Sequence, residues 1–174
     1  SQYSAGIGLS YAAHSQLCIS HLSQIANPEQ RKQWLPKLIS GEHIGALAIS
    51  EPSTGSDARS LSLQAKRVPG GYVLNGEKMW ITNGPIADVI IVYAKTSHSR
   101  AGISTFIVHA PVDGLTRSQP IEKIGMTLSP TGELSFNNCF IPESQLIGTE
   151  NSGDLHMLSG LKFERLLLAA GPLG

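Results

Sequence analysis

The sequence predicts an α+β protein in which a central antiparallel β-sandwich or barrel domain is flanked by helices on both sides. Hydrophobic residues recur at helical spacing near the beginning and near the end of the 174 residues. Between them, short β-rich apolar runs are separated by turn signals, with no helical pattern between the runs. Strands that follow one another without crossover helices favour a sandwich or barrel over a parallel, doubly wound sheet.

The first helical region spans about residues 3–41 and is predicted to contain two helices. In the first helix, Cys18, Leu22 and Ile25 lie at positions i, i+4 and i+7, on one helical face. The second helix is predicted to begin after Asn27. Pro follows this cap residue, and Gln30 stands three residues after it, as in a capping box.

The middle region, about residues 42–148, carries six predicted strands. Gly-Gly at 70–71 and Asn-Gly at 83–84 are turn signals between apolar runs. The predicted strands are 44–50, 61–68, 72–80, 87–95, 103–110 and 133–141. A helical pattern returns at about residues 154–170.

The charge content argues against several classes of function. Thirteen Lys and Arg balance thirteen Asp and Glu, so no excess of positive charge is available to hold nucleic acid or anionic lipid. No apolar run approaches the roughly 18–20 residues of a membrane span. Only 15% of the residues are charged, against about a quarter in a typical soluble domain. The low charge suggests surfaces that are buried by the rest of a larger protein or by a partner subunit. Helical patterns that are already under way at the first residues and still continue at the last ones lead us to expect a segment of a longer protein.

Sequence signals for a metal or for a nucleotide-binding loop are absent. The six histidines never pair at i, i+4, and for His14 and His21 packed or exposed helix positions are favoured over metal ligation, so no metal site is predicted. Neither GxGxxG nor a P-loop occurs. Cys18 and Cys139 are too far apart in sequence for a CxxC motif, and a disulfide framework is not expected, which favours an intracellular compartment.

The first segment that points to chemistry is residues 48–57, where a buried strand runs directly into a loop rich in Pro, Gly and Ser. Such a loop exposes backbone N–H groups and hydroxyls at the end of a strand, a usual place for a bound anion or the edge of a ring. The alternative is an ordinary turn capped by Ser and Asp side chains, and spacing alone favours it.

The second segment is residues 78–84. In a strand, Trp80 and Thr82 lie on the same face because the side-chain period is two. A flat ring and a hydroxyl on one face suit a planar heteroaromatic ligand. A tryptophan in the core is an equally good interpretation of the same pattern.

The third segment is the helix around Glu164. At about 100° per residue, Glu164 lies within roughly 60° of Met157 and Gly160, on a stripe of apolar residues and glycines. Apolar surroundings disfavour the charged carboxylate and raise its pKa towards the range of a general base. The alternative is a glutamate at a helix–helix seam, and both interpretations remain open on this argument.

Together these segments resemble the acyl-CoA dehydrogenase family, and within it the isovaleryl-type members. The resemblance covers essentially the whole chain. Its most specific part is Ser-Glu-Pro at 50–52 with Gly-Ser-Asp at 55–57, followed by Trp-Ile-Thr-Asn-Gly at 80–84. Further matching segments are 12–15, 35–41, 44–49, 74–76 and 124–126. The resemblance implies the end of an N-terminal helical domain at 1–42, a middle β-domain at 43–148, and the first helix of a C-terminal helical domain at 149–174.

The resemblance also implies FAD, bound between the β-domain and the C-terminal helices. Ser50 and Thr82 would hydrogen-bond the isoalloxazine edge, Trp80 would pack on the ring, and Ser56 would lie near the flavin phosphates and the acyl-CoA. The full set of residues implied to contact the cofactor is Leu47, Ala48, Ile49, Ser50, Ser56, Trp80, Ile81 and Thr82.

The implied reaction is α,β-dehydrogenation of a short branched-chain acyl-CoA, with isovaleryl-CoA favoured, a step in leucine catabolism. Residues 161–166 match the context in which isovaleryl-type members carry the base, which makes Glu164 the residue that removes the α-proton while hydride leaves to flavin N5. Lys162 and Leu155 depart from the family pattern, which usually has Asp and an aromatic residue there. The residues implied to bind substrate are Ser56, Leu155, Lys162, Phe163 and Arg165.

The implied partners are the acyl-CoA substrate, an electron-transferring flavoprotein and, in the full-length protein, three further copies in a homotetramer. The implied location is the mitochondrial matrix in a eukaryote or the cytoplasm in a bacterium. Two alternatives remain open at this point. One is a dehydrogenase or oxidase for another acyl-CoA, and the other is a non-catalytic homologue that acts as an interaction module.

Overall fold

A computed structural model describes residues 4–168, with side chains up to Gly160. The chain begins with a continuous helix made of α1 (Ala5–Ala12), a π-helical stretch (Ala13–Ile19) and α2 (Ser20–Ile25). The helix α3 (Pro28–Ser40) follows. Its capping box is confirmed, because the Asn27 side chain accepts from the Gln30 N–H at 2.8 Å and the Asn27 N–H donates to the Gln30 side chain at 3.1 Å.

The middle region forms a mixed sheet of eight strands. The strands are β1 (Gly45–Ala48), β2 (Gln64–Val68), β3 (Gly71–Thr82), β4 (Val89–Lys95), β5 (Ile103–His109), β6 (Leu115–Arg117), β7 (Thr131–Pro142) and β8 (Leu146–Ile147). Their order is β6-β7-β3-β2-β4-β5-β8, with β1 paired to β4 beside this path. All six predicted strands are present. The sequence prediction missed β6 and β8, which are only three and two residues long.

The sheet differs from the predicted antiparallel arrangement at β1, which runs parallel to β4 with Gly45–Ala48 opposite Val89–Val92. A second parallel pairing joins Gln64 of β2 to Lys95 of β4. Parallel neighbours need a crossover of a dozen or more residues. Here the loop after β1 and the β2–β3 hairpin provide that crossover, which a helix usually makes.

Strands β4 and β5 are buried on both faces, and successive residues alternate between two apolar clusters. One cluster lies inside the folded sheet and includes Ile90, Val92, Phe106, Val108, Tyr72, Leu74, Leu134 and Ile141. The other lies under the helices and includes Val89, Ile91, Tyr93, Ile103, Ile107, Cys18, Leu22, Trp34, Leu38 and Met157. The sheet thus folds over itself on one side and is covered by helices on the other.

The last element is α4 (Gly153–Leu168), which packs against β5 and the π-helical stretch. The predicted helix at 154–170 is therefore present over its described part. Within residues 4–168, no helix combines the length and apolar character needed to cross a bilayer.

Candidate functional site

A cavity of about 280 Å³ opens where the first helix, the loop after β1 and the end of β3 meet. Its wall combines apolar side chains with hydroxyls of three residues, Ser50, Ser56 and Thr82. The residues lining it are Ala13, Leu17, Leu47, Ile49, Ser50, Gly55, Ser56, Ala58, Trp80, Ile81 and Thr82.

Trp80 lies in a β-bulge at the cavity. The register of β3 against β7 shifts between Lys78 and Ile81, and Trp80 has a left-handed backbone with φ of +64°. Trp80 is 58% exposed, so it does not belong to the core that the described residues form. The bulge lets three successive residues, Trp80, Ile81 and Thr82, line the cavity, which a regular strand with a period of two would prevent.

The loop after β1 is bonded directly to this bulge. The backbone N–H of Met79 donates to the carbonyl oxygen of Ser50 at 2.9 Å. Glu51 and Thr54 close the loop with two backbone hydrogen bonds, at 2.9 and 3.1 Å. The loop is therefore closed by backbone hydrogen bonds, and it also forms part of the cavity wall.

A buried ion pair holds the base of this loop. Lys78 Nζ donates to Glu51 Oε1 at 2.9 Å and to the Ile49 carbonyl oxygen at 2.8 Å, and neither charged side chain is exposed by more than 1%. The other contacts of Glu51 are donors from Ser62, through both N–H and hydroxyl at 2.6 Å, and the N–H of Leu63 at 2.9 Å. These bonds fix Ile49 and Ser50 at the cavity.

Burial and pairing shift the pKa values of this pair. Burial lowers the pKa of Lys78 to about 8, although the charge of Glu51 opposes the shift. For Glu51, burial alone would raise the pKa, but the charge of Lys78 and the donors from Ser62 and Leu63 outweigh it and leave the pKa below its usual value. Both partners are thus charged near pH 7.

Sequence reasoning assigned no role to Lys78 or Glu51. A signal was present, because Tyr72, Leu74 and Lys78 are all on the inward register of β3. A lysine at an inward position needs a buried acidic partner, since an unpaired charge in the core is very costly. Glu51, in the loop after β1, is that partner.

Of the eight residues implied to contact a cofactor, seven line the cavity: Leu47, Ile49, Ser50, Ser56, Trp80, Ile81 and Thr82. Ala48 does not, because its methyl group lies on the opposite side of β1, fully buried in the core. Only the backbone of Ala48 could therefore contact a ligand. Gly55, which also lines the cavity, belongs to the segment 48–57 indicated by the sequence, whereas Ala13, Leu17 and Ala58 were not among the expected contacts.

Ala13 and Leu17 belong to the π-helical stretch, and helices of this type are frequent at functional sites. In the same stretch, His14 joins the helix to two other elements. The Gly45 N–H donates to His14 Nδ1 at 2.9 Å, so the ring carries its proton on Nε2 and donates to the Leu38 carbonyl oxygen at 3.0 Å. Both ring nitrogens are thereby occupied, in agreement with a packed histidine. In the described part of the chain, no group of three or more His, Cys, Asp or Glu could hold a metal ion.

The residues implied to act on a substrate are only partly described. Ser56 lines the cavity, whereas Leu155 is 70% exposed and is not among the lining residues. Glu164, Lys162, Phe163 and Arg165 belong to α4, but their side chains lie outside the described residues. Met157 and Gly160, on the helical stripe that the sequence assigned to Glu164, face the core and the ring of His21.

Comparison with known proteins gives this geometry a context. Residues 46–139 match the acyl-CoA dehydrogenase middle domain, and residues 1–42 match the acyl-CoA dehydrogenase N-terminal domain. The chain belongs to the acyl-CoA dehydrogenase family. The α+β architecture predicted from the sequence is that of this family.

Two relatives and one solved structure define the similarity further. The chain is 51% identical over its whole length to a mitochondrial isovaleryl-CoA dehydrogenase of Oryza sativa subsp. japonica, of which it covers 43%. It is 49% identical over its whole length to a mitochondrial 2-methylacyl-CoA dehydrogenase of Solanum tuberosum, of which it also covers 43%. The structure described as PigA with FAD and proline superposes with a TM-score of 0.92 at 37% identity, over 95% of this chain and 44% of that one. The chain thus spans less than half the length of each of these three proteins.

Proposed function

We propose that the protein containing this chain is an FAD-dependent dehydrogenase that introduces an α,β double bond into a short branched-chain acyl-CoA, isovaleryl-CoA being the favoured substrate. The observation that carries the proposal is the Trp80 indole, held exposed by a β-bulge beside the hydroxyls of Ser50 and Thr82. Membership of the acyl-CoA dehydrogenase family supports it.

The cavity fits part of a flavin. Its volume of about 280 Å³ is near the lower end of ligand pockets, which run from roughly 300 to 1,000 Å³, so it suits one ring system. A flat exposed ring is what an isoalloxazine can stack on, since aromatic rings prefer offset-stacked contacts. Ser50 and Thr82 are half-buried and Ser56 is exposed, so their hydroxyls can reach a ligand. The remainder of an FAD would need surfaces beyond this cavity.

Each side chain at the cavity has a proposed task. Trp80 packs on the isoalloxazine, and Ser50 and Thr82 hydrogen-bond its edge. Ser56 lies where the flavin phosphates meet the acyl-CoA. When bound, FAD supplies the acceptor for a hydride, at N5 of the isoalloxazine.

Glu164 is proposed as the general base. Its carboxylate takes the α-proton of the thioester, and the pair of electrons from the β-carbon–hydrogen bond leaves as hydride, so the acyl group is oxidised by two electrons. Apolar surroundings would raise the pKa of this carboxyl group towards the working range of a base. Leu155, Lys162, Phe163 and Arg165, together with Ser56, are proposed to hold the acyl-CoA.

The choice of acyl group is the finer part of the proposal. The two relatives compared above are almost equally similar to this chain, and one is named for isovaleryl-CoA and the other for 2-methylacyl-CoA. The second candidate function is therefore dehydrogenation of another short branched acyl-CoA, or its oxidation with oxygen as the electron acceptor. We further propose an electron-transferring flavoprotein as the acceptor, a homotetramer as the assembly, and the mitochondrial matrix as the location in a eukaryote or the cytoplasm in a bacterium.

The test is an anaerobic titration of the purified holoenzyme with isovaleryl-CoA and, separately, with 2-methylbutanoyl-CoA, while the flavin absorbance is recorded. Bleaching that is faster with isovaleryl-CoA supports the proposal. Faster bleaching with the other thioester supports the second candidate. If flavin is bound but neither acyl-CoA bleaches it, the result would favour a non-catalytic homologue.

The role of Glu164 is tested with Glu164→Gln, and Glu122→Gln serves as a control that removes an exposed carboxylate from a loop. We expect Glu164→Gln to retain flavin and to lose bleaching, whereas Glu122→Gln bleaches normally. Turnover by Glu164→Gln at the normal rate would remove Glu164 as the base.

A further inference from the structure

One ion pair joins the cavity loop to the helix that carries Glu164. Arg59 Nε donates to Asp154 Oδ1 at 2.6 Å, and Arg59 Nη2 donates to Asp154 Oδ2 at 2.9 Å. This is the two-pronged geometry that makes guanidinium–carboxylate pairs directional as well as attractive. Asp154 is the more buried partner, with 13% of its side chain exposed against 45% for Arg59.

On the loop side, Arg59 directly follows the cavity-lining residue Ala58. Asp57 of the same loop accepts two hydrogen bonds from Arg100, at 3.1 and 3.0 Å, and one from the Ser60 hydroxyl at 2.6 Å. The segment that contributes Gly55, Ser56 and Ala58 to the cavity is therefore tied down at several points.

On the helix side, α4 makes other contacts along one face. A Cβ at Gly153 would lie 2.8 Å from the Ile103 carbonyl oxygen, and a Cβ at Gly160 would lie 2.6 Å from the His21 ring. Between them, Met157 is buried in the core, and His156 Nδ1 shares a hydrogen bond of 3.2 Å with Thr105. These contacts set how closely α4 approaches β5 and α2.

Asp154 lies on the flank of that face. At 100° per residue it is about 60° around the helix from Met157 and about 120° from Gly160. An ion pair on the flank of the helix resists rotation of α4 about its own axis. Contacts along the centre of the packed face resist such a rotation less well. Glu164 follows Asp154 by ten residues, or about 15 Å along the helix. A rotation at Asp154 is carried along the helix to residue 164.

We infer that the Arg59–Asp154 ion pair positions the proton acceptor of the proposed reaction, by fixing the rotation of α4 relative to the cavity loop. The inference rests on the proposed function. Arg59 and Asp154 are positioning residues here, because they act through the helix.

The effect should appear in the rate and in local motion of the helix, with little change in global stability. The Arg59 side chain is 45% exposed, and an ion pair with a solvent-exposed partner contributes little to the free energy of unfolding. A displacement of about 1 Å of a reacting group, in contrast, can lower a rate by up to 100-fold. If the ion pair served only to stabilise the fold, its loss would not lower the reaction rate more than the small loss of stability accounts for.

The experiment uses the holoenzyme with Arg59→Gln, with the exchanged pair Arg59→Asp/Asp154→Arg, and with Lys37→Gln as a matched control. Lys37 forms an exposed ion pair with Glu42 at 2.8 Å, far from α4 in sequence. Two readouts are recorded: the rate of flavin reduction by isovaleryl-CoA in a single turnover, with KM measured separately, and hydrogen exchange of the α4 backbone amides.

For Arg59→Gln we expect flavin reduction to be slower by about tenfold with KM changed less than about twofold, and faster exchange in α4. The exchanged pair should partly restore the rate of flavin reduction and the slow hydrogen exchange of α4. Lys37→Gln should change neither the rate nor the exchange. Unchanged exchange in Arg59→Gln would overturn the inference, and so would changed exchange with an unchanged reduction rate. If no acyl-CoA reduces the wild-type flavin, the proposed function fails, and the role in the reaction fails with it. The exchange data then still decide whether the pair restrains α4.

Discussion

The backbone N–H of Met79 donates to the carbonyl oxygen of Ser50 at 2.9 Å, which joins the loop after β1 to the bulge in β3. This bond connects the motif that begins at Ser50 to the residue directly before the motif at 80–84, about 30 residues further along the chain. The buried Lys78–Glu51 ion pair supports this contact from below. We expect substitutions in that pair to change the stability of the fold, and substitutions of the exposed Trp80 to change ligand binding.

Trp80 should contribute to binding more than to folding. A bulky residue with φ of +64° is strained, and glycine adopts this conformation without the cost. We expect Trp80→Gly to retain or increase the melting temperature of the flavin-free protein and to weaken flavin binding at least tenfold, measured by fluorescence titration. The control Trp80→Phe keeps a flat ring and should bind flavin more tightly than Trp80→Gly. Equal affinities of the two variants would contradict a stacking role.

Removing Lys78 should strongly destabilise the fold. Lys78→Met leaves the Glu51 carboxylate buried without its cation, and breaking a buried pair in this way costs about 3–5 kcal/mol. Urea denaturation measures the loss, and Lys66→Met, at an exposed position of β2, is the control. The double variant Glu51→Gln/Lys78→Met should be more stable than Lys78→Met alone. A loss below about 1 kcal/mol in Lys78→Met would show that the pair is not needed.

His21 should make stability decrease in acid. Burial, and after it the charge of His156, lower the pKa of His21 in the folded state to about 4, from 6.5. Between these two pH values the unfolded chain binds a proton that the folded chain does not, so the free energy of unfolding falls as the pH falls from about 6.5 to about 4. The group that faces His21 from β4 is Tyr93, whose hydroxyl shares a hydrogen bond with the ring. Denaturant melts at a series of pH values should show a smaller fall in His21→Gln, and an identical fall would contradict the assignment.

Gly160 should tolerate no larger residue. An added Cβ would lie 2.6 Å from both Cε1 and Nδ1 of His21, and that buried ring has little space to move. We expect Gly160→Ala to lower the free energy of unfolding by about 1–3 kcal/mol, as overpacked sites do. Ser159→Ala, at an exposed neighbouring position, is the control and should be near neutral. Equal stability of the two variants, measured by urea denaturation, would argue against tight packing between α4 and His21.

The local features of the fold could be predicted from the sequence because they depend on neighbouring residues. The start of α3 follows from Asn27 and Gln30, and both of its hydrogen bonds are present. The parallel pairing of β1 with β4 could not be predicted in this way, because a period of two indicates a strand and says nothing about its partner.

The cavity was predicted in part, for a similar reason. The composition of residues 48–57 and 80–82 indicated a ligand site, whereas Ala13 and Leu17 reach it only through a π-helical stretch that no pattern in the sequence indicates. Trp80 and Thr82 both line the cavity, as regular strand geometry predicts, whereas the presence of Ile81 between them depends on the bulge, which that geometry does not predict. The inward position of Lys78 follows from the alternation of β3.

The parallel pairing of β1 also constrains the order in which the chain can be assembled. In the part of the chain that the structure describes, β1 hydrogen-bonds within the sheet only to β4, whose paired residues are 89–92. During synthesis, about forty further residues must therefore leave the ribosome before β1 can pair with β4. Leu47 and the loop behind it can reach their final positions only then, so the ligand cavity is a late product of folding.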